Sequence, residues 1–454
     1  MIGKPLPYTT NPVALLLTDI WLFFHLSFDI KSLSLLSIVW PLIPNNPNFD
    51  ELAPTPKNAW ALAVHIVLVF SQLAYLGFAL LAPFCGTPTI MYLGVLIAGV
   101  MINKFVCDAS LNGPHGQTLY AGEQFSEYMR LPRKRVDQTD KLKLLESRDP
   151  KHSGERWVFI NGVAAGSHWT QANLNRIART FQRPVLGIHN ATYGIVFDVL
   201  ECVIQRTFGY PTLDIRTAYA KVSELLGQAD VDKLVFIAHS QGSIEAGMVL
   251  DWLFATVPQK DIQKLEVYTF GNAANHWNCP ELENGQRVIE HVEHYANDKD
   301  WVARFGALYF RGVGQQQSHI HPFSYVQPTR NGQSKAKNAV NGSNMSSTTE
   351  NPPDVLTNRF VGKLFLRKAS GHQFNQHYMA NMFTMDKQDR LVLDGNEFMN
   401  EVVDHYNFQD CQCTSTRMVN GDDIATKAQL VEPVKQIKDE SRLWQYRNGG
   451  VPSA

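Results

Sequence analysis

No feature of this chain restricts its folding more than the stretch between Lys57 and Lys104, which contains no Asp, Glu, Lys or Arg. Its first part, Ala59 to Ala82, reads AWALAVHIVLVFSQLAYLGFALLA. A helix of that length extends about 36 Å, and a bilayer's hydrocarbon core is about 30 Å thick. A membrane span over 59–82 is expected, because a helix buried in a soluble core seldom runs so far without a charge. Pro83, Gly86 and Pro88 then break the run. A second apolar stretch, Thr89 to Ile102, reaches a spanning length over 89–107 when it borrows flanking residues. The two stretches and the PFCGTP turn predict a helical hairpin, with one span plus an interfacial segment as the alternative.

Val13 to Leu42 is also apolar but carries Asp19, His25, Asp29 and Lys31. Charge at bilayer depth is costly, so this stretch is expected to lie along the interface. Asp19 also argues against a signal peptide. Residues 1–107 thus form a membrane-associated region with the lipid bilayer as partner. Lys104, Arg130, Arg133, Lys134 and Arg135 place the following chain on the cytosolic side by the positive-inside rule. Asn190, Asn341 and Asn344 are Asn-x-Ser/Thr triplets, which glycosylation on the lumenal side would use. The organelle is not written in the sequence.

Beyond a polar linker, 108–155, the pattern alternates. Trp157–Ile160, Pro184–Ile188, Leu234–Ala238, Leu265–Phe270, Val288–Tyr295 and Phe360–Leu366 read as strands. Trp169–Phe181, Gly194–Phe208, Asp214–Leu226, Ser243–Phe254 and Phe374–Phe383 read as helices. Strands alternating with helices predict an α/β domain over 156–410, a mostly parallel sheet with helices on both faces. Pro328 to Asn358 reads as a flexible insertion and 411–454 as a loose C-terminal tail. Net charge is −1, which gives no reason to expect nucleic acid. The six cysteines lack zinc spacing, Cys411 and Cys413 forming only C-x-C, and no phosphate or dinucleotide loop follows a strand. No cofactor and no metal are expected.

The segment LVFIAHSQGSIEAGMVLDWL, Leu234 to Leu253, carries the strongest chemical signal. An apolar strand runs into His239-Ser240-Gln241-Gly242 and then into a helix. This is the setting of a nucleophile elbow, which needs small residues two positions either side of the serine; here they are Ala238 and Gly242. The Gln241 N–H, at the positive end of the helix, is a candidate oxyanion donor. The alternative is a serine that merely caps the helix. Trp157 to Trp169, WVFINGVAAGSHW, offers a second donor, the Val163 N–H, after a turn at Gly162, with Gly166 and His168 shaping the loop.

A serine needs a base, and the base needs an acid to orient it. Asp298 and Asp300 both follow the strand ending near Tyr295. Of the later histidines, His372 lies in a small-residue turn between a strand and a helix. His377 is the second choice. His319 and His321 flank the insertion, and His405 lies further on.

With these residues in view, the chain resembles the lipase-like members of the α/β-hydrolase superfamily over roughly Trp157 to Phe383. AHSQG is similar to their GHSxG elbow, and YTFGNAANHW to the strand and loop that follow it. DWVAR, Asp300 to Arg304, resembles their D-x-V-P-R acid segment with Ala303 in place of Pro. The resemblance favours Asp300 over Asp298. It implies an α/β-hydrolase fold and a membrane-anchored serine hydrolase acting on an apolar ester or thioester through Ser240, His372 and Asp300. An acyltransferase using the same triad, or a tethered non-catalytic scaffold, are the alternatives.

Overall fold

The computed structural model describes residues 11–29, 34–113, 118–121, 152–282, 284, 286–311, 360–404, 407–411 and 434–453. The insertion at 328–358, His319, His321, His405, Asn341, Asn344, Lys31, Arg130, Arg133, Lys134, Arg135, Cys413 and most of the 108–155 linker lie outside them.

Short runs of β-branched and aromatic residues form one eight-stranded sheet, β1 (Thr118–Ala121), β2 (Glu155–Ile160), β3 (Val185–Ile188), β4 (Lys233–His239), β5 (Leu265–Phe270), β6 (His291–Asn297), β7 (Gly362–Arg367) and β8 (Phe408–Cys411). Their order is β1-β3-β2-β4-β5-β6-β7-β8. The strands from β3 to β7 are mutually parallel, and the two edge strands run antiparallel. Alternate side chains enter two separate cores, as the period of a strand requires. Trp157, Phe159, Val235 and Ile237 pack with α4 (Ser167–Phe181) through Leu174, Ile177 and Phe181. Val158, Ile160, Leu234 and Phe236 pack with α6 (Leu213–Leu226) and α7 (Gln241–Thr256). The chain is therefore a mixed α/β fold with a mostly parallel sheet covered on both faces.

The N-terminal region lies against this sheet domain. α1 (Pro12–Ser27) sets Leu22 and Leu26 on Trp301 and Phe305. The charges that argued against burial in lipid are paired within the protein, Asp19 with Arg206 at 2.9 Å and Asp29 with Arg304 at 2.8 Å. α2 (Pro56–Leu81) begins with Pro56 in its first turn and the Thr55 hydroxyl accepting the Asn58 N–H. Gly86, at φ +69°, permits the reversal into α3 (Thr89–Cys107). The hairpin is zipped by the Tyr75 hydroxyl donating to the Leu96 carbonyl and the Tyr92 hydroxyl to that of Ala79. Both helical segments, Pro56–Cys85 and Thr89–Asn112, are long and apolar enough to cross a membrane. Ile66, Phe70, Leu80, Phe84, Ile90 and Met101 are each more than half exposed. One stripe of α2 is nonetheless buried: Asn58, Ala61, His65, Leu68 and Gln72, at alternating spacings of three and four.

Four features differ from the sequence-based expectations. The edge strands β1 and β8 are too short to announce themselves. The strand expected over Val288–Tyr295 starts at His291, because Arg287 bridges Glu281 and Val288 bonds back to Pro280. The end of the C-terminal tail is core, not loose. Leu443, Trp444 and Tyr446 are buried, Tyr446 meets Trp157 edge to face, and its hydroxyl donates to Glu266. Finally, Asn190 is no surface acceptor for a glycan: it is buried and donates to the Gln241 side chain at 3.0 Å.

Candidate active site

In a parallel sheet, ligands bind beyond the carboxyl ends of the strands where the connections diverge. Here the chain leaves β2 toward β3 on one side and returns to β4 on the other, so the divergence falls between β2 and β4. Val163 follows β2 and Ser240 follows β4.

Ser240 has φ +57° and ψ −125°, a conformation that side-chain-bearing residues rarely adopt and that stores on the order of 1–3 kcal/mol. The surroundings enforce it. The Ser240 N–H donates to the Phe270 carbonyl, and the Ser243 N–H to that of Ser240, both at 3.0 Å. A Cβ on Gly242 would come within 2.6 Å of the Ile160 carbonyl oxygen, and one on Gly162 within 2.9 Å of the Ser240 Oγ. Strand and helix thus approach closely only because these two positions are glycine. The Ser240 side chain makes no capping hydrogen bond to α7, so it does not serve as a helix cap.

Asp300 is fully buried, and its Oδ2 accepts the His372 Nδ1–H at 2.7 Å and the Tyr378 hydroxyl at 2.6 Å. Its Oδ1 accepts the Val302 N–H. With Nδ1 engaged, His372 Nε2 is buried and has no hydrogen-bond partner among the described residues. The His372 ring stacks on His239, the residue before Ser240, with centroids 4.7 Å apart, and His239 Nε2–H donates to the His372 carbonyl. Gly271 sits against both His372 and Asp300, next to the Phe270 carbonyl that holds Ser240. Asp300 and His372 are thereby held against His239, the residue before Ser240, with no hydrogen bond between Ser240 Oγ and His372 Nε2. His377 stands apart: its Nδ1 accepts the Gln373 N–H and its Nε2–H donates to the Pro41 carbonyl, leaving no nitrogen for proton transfer. Burial lowers its pKa to about 4. It is Asp300, not Asp298, that meets the imidazole.

The Val163 N–H donates to no described residue. The turn that carries it is organised by Asn161, whose side-chain amide donates to the carbonyls of Gly162, Ala165 and Asn190. The Gln241 N–H opens α7, where no intrahelical acceptor exists. The Gln241 side chain is fixed by Asn190, Glu201 and Gln205. Two amides are thus available at the divergence point, beside a serine.

No family model, curated protein or solved structure matches the chain. Among the described residues, no group of His, Cys, Asp and Glu is arranged to hold a metal ion. A cleft of about 260 Å³, lined by Leu15, Phe208, Ile244, Met248, Trp252 and Ala274 among others, opens one turn along α7 from Ser240. None of Ser240, His372 and Asp300 lines it, and Ser240 and His372 are only 2% and 3% exposed.

Sequence reasoning missed what holds the His372 loop. The Gly371 and His372 N–H groups donate to the carbonyls of Ser37 and Ile38, at 2.8 and 3.0 Å. Glu51 accepts the N–H groups of Asn375 and Gln376. The acid pair Asp50-Glu51, before an apolar helix, was the available signal.

Burial raises the Glu51 and Glu201 carboxyls to about 7. A carboxyl with a raised folded-state pKa binds its proton more tightly when folded, so unfolding becomes easier as pH rises through that value. The buried histidines His239, His294 and His377 have lowered values and oppose this only below their ordinary pKa of about 6.5. The unfolding free energy measured in urea is therefore expected to fall between pH 6.5 and 8, by about 1 kcal/mol for each of the two acids. Glu51→Gln should reduce that fall; an unchanged pH dependence in the variant would refute the assignment.

Proposed function

We propose that this protein is a membrane-anchored serine hydrolase of α/β-hydrolase fold that cleaves carboxylic esters of apolar, lipid-like compounds. The observation that carries the reading is a single arrangement. A buried carboxylate holds an imidazole by one nitrogen, the other nitrogen is unengaged, and the ring stacks on His239, the residue before a serine in a strained strand-to-helix turn. The strand order, with Ser240 leaving a central strand at the divergence point, supports the fold assignment.

In this mechanism Ser240 Oγ attacks the ester carbonyl and His372 Nε2 takes its proton. Asp300 keeps the imidazole in the tautomer that presents Nε2 and stabilises the imidazolium. The N–H groups of Val163 and Gln241 stabilise the negative charge on the former carbonyl oxygen. His372 then protonates the departing alcohol, and water, deprotonated by the same nitrogen, releases the acyl group. The apolar hairpin enters the bilayer with both ends on the cytosolic side, which brings the site to esters dissolved in the membrane.

The test is ester turnover by the full-length protein in detergent micelles, using p-nitrophenyl esters of increasing acyl length and lipid esters in liposomes. Hydrolysis that rises with acyl length supports the reading. A folded protein that transfers acyl groups to an added alcohol without releasing acid would make it an acyltransferase. One that does neither would make it a scaffold.

A further inference from the structure

We infer that the membrane hairpin is part of the reaction centre, with His65 on α2 a positioning residue for the loop that binds the oxyanion. The inference rests on the serine-hydrolase reading above.

The loop from Gly162 to Gly166, just before α4, is rich in Gly and Ala and is intrinsically soft. Oxyanion donors act only when they are fixed before charge develops, so something must hold this loop. Its critical residue is Ala164, next to Val163, which sits at φ +61° without being glycine. Both of its peptide groups are tied. Its N–H donates to Asp198 Oδ2 on α5 (Ile195–Phe208) at 2.9 Å. Its carbonyl accepts the His65 Nε2–H, also at 2.9 Å. His65 is buried, and its ring stacks on Trp169 at 5.7 Å with the planes 5° apart.

The rest of the α2 stripe extends the same clamp. Asn58, two turns before His65, accepts the Trp169 Nε1–H and the His168 Nε2–H through one oxygen. Gln72, two turns after it, donates to the Tyr193 carbonyl in the loop beyond β3 and accepts the Val196 N–H in the first turn of α5. Gly166 abuts the Leu111 carbonyl, in the turn after α3. Asn58, His65 and Gln72, polar residues of a mostly apolar helix, therefore face the loops at the carboxyl edge of the sheet, and not lipid. Docking of the hairpin and competence of the oxyanion site are one event.

The test compares wild type, His65→Leu and His65→Gln, each full-length in micelles. The readouts are the rate of fluorophosphonate labelling of Ser240, the kcat and KM on a water-soluble short-chain p-nitrophenyl ester, and the Tm. The Gly166 N–H still satisfies the Ala164 carbonyl in the Leu variant, so the fold survives. His65→Leu should slow labelling and lower kcat about tenfold or more, with KM within about twofold of wild type. His65→Gln, which restores an N–H donor of similar reach, should recover most of the loss. If wild type labels and His65→Leu labels equally fast, the inference is wrong. It is equally wrong if the Gln variant fails to recover and both variants lose Tm in step with kcat. Absence of any labelling in wild type would instead overturn the hydrolase reading itself.

Discussion

Ser240→Ala is expected to lower ester turnover by at least about 10⁴-fold, to whatever the binding site and oxyanion donors achieve alone, while leaving the protein folded. In the proposed mechanism the hydroxyl is the atom that forms the acyl bond. Ala occupies the same space and adopts the same φ of +57° with the same strain, so the fold loses only one buried oxygen. A helix-capping serine would behave in the opposite way: its removal would lower stability by about 1 kcal/mol and leave any activity intact. Unchanged turnover in the Ala variant would move the chemistry to another residue.

Asp300→Asn is expected to reduce kcat by about 10⁴-fold with little change in structure. Oδ2 now accepts the His372 Nδ1–H, which leaves Nε2 as a lone-pair base. An amide that turns its NH₂ toward Nδ1 forces the proton onto Nε2, and the imidazole then presents a donor where the serine proton must go. With the NH₂ in the place of Oδ2, the amide oxygen in the place of Oδ1 still accepts the Val302 N–H, so the short helix after residue 300 persists, while the Tyr378 hydroxyl must turn to accept from the NH₂. A loss below about tenfold would mean that Asp300 supports the loop without orienting the base.

What the sequence reveals and what it hides follows from distance along the chain. An elbow is made by neighbours: Ala238, Ser240 and Gly242 lie within five residues, and their spacing alone dictates a strand turning sharply into a helix. The helices Ser167–Phe181 and Leu213–Leu226 were legible for the same reason, because amphipathic periodicity is local. The partners of His372 were not. Ser37, Ile38 and Glu51 hold its loop from more than 300 residues away, across a region that reads by composition as a separate membrane unit. Hydropathy sums a whole helix and hides a stripe, so α2 reads as a lipid-facing span although His65 and Gln72 are buried against protein. The tail misled for a similar reason: four residues around Trp444 complete the core, and the polar chain before them dominates the composition. Asn190 matched a glycosylation triplet, but such a triplet says nothing of burial.

The account stands or falls on whether His372 activates Ser240. The most direct measurement is peptide mapping by mass spectrometry after the folded, full-length protein has reacted with a fluorophosphonate in micelles. The account predicts an adduct on Ser240 in wild type and none in His372→Ala. A folded wild-type protein without that adduct, or a His372→Ala variant that labels as fast as wild type, would contradict it.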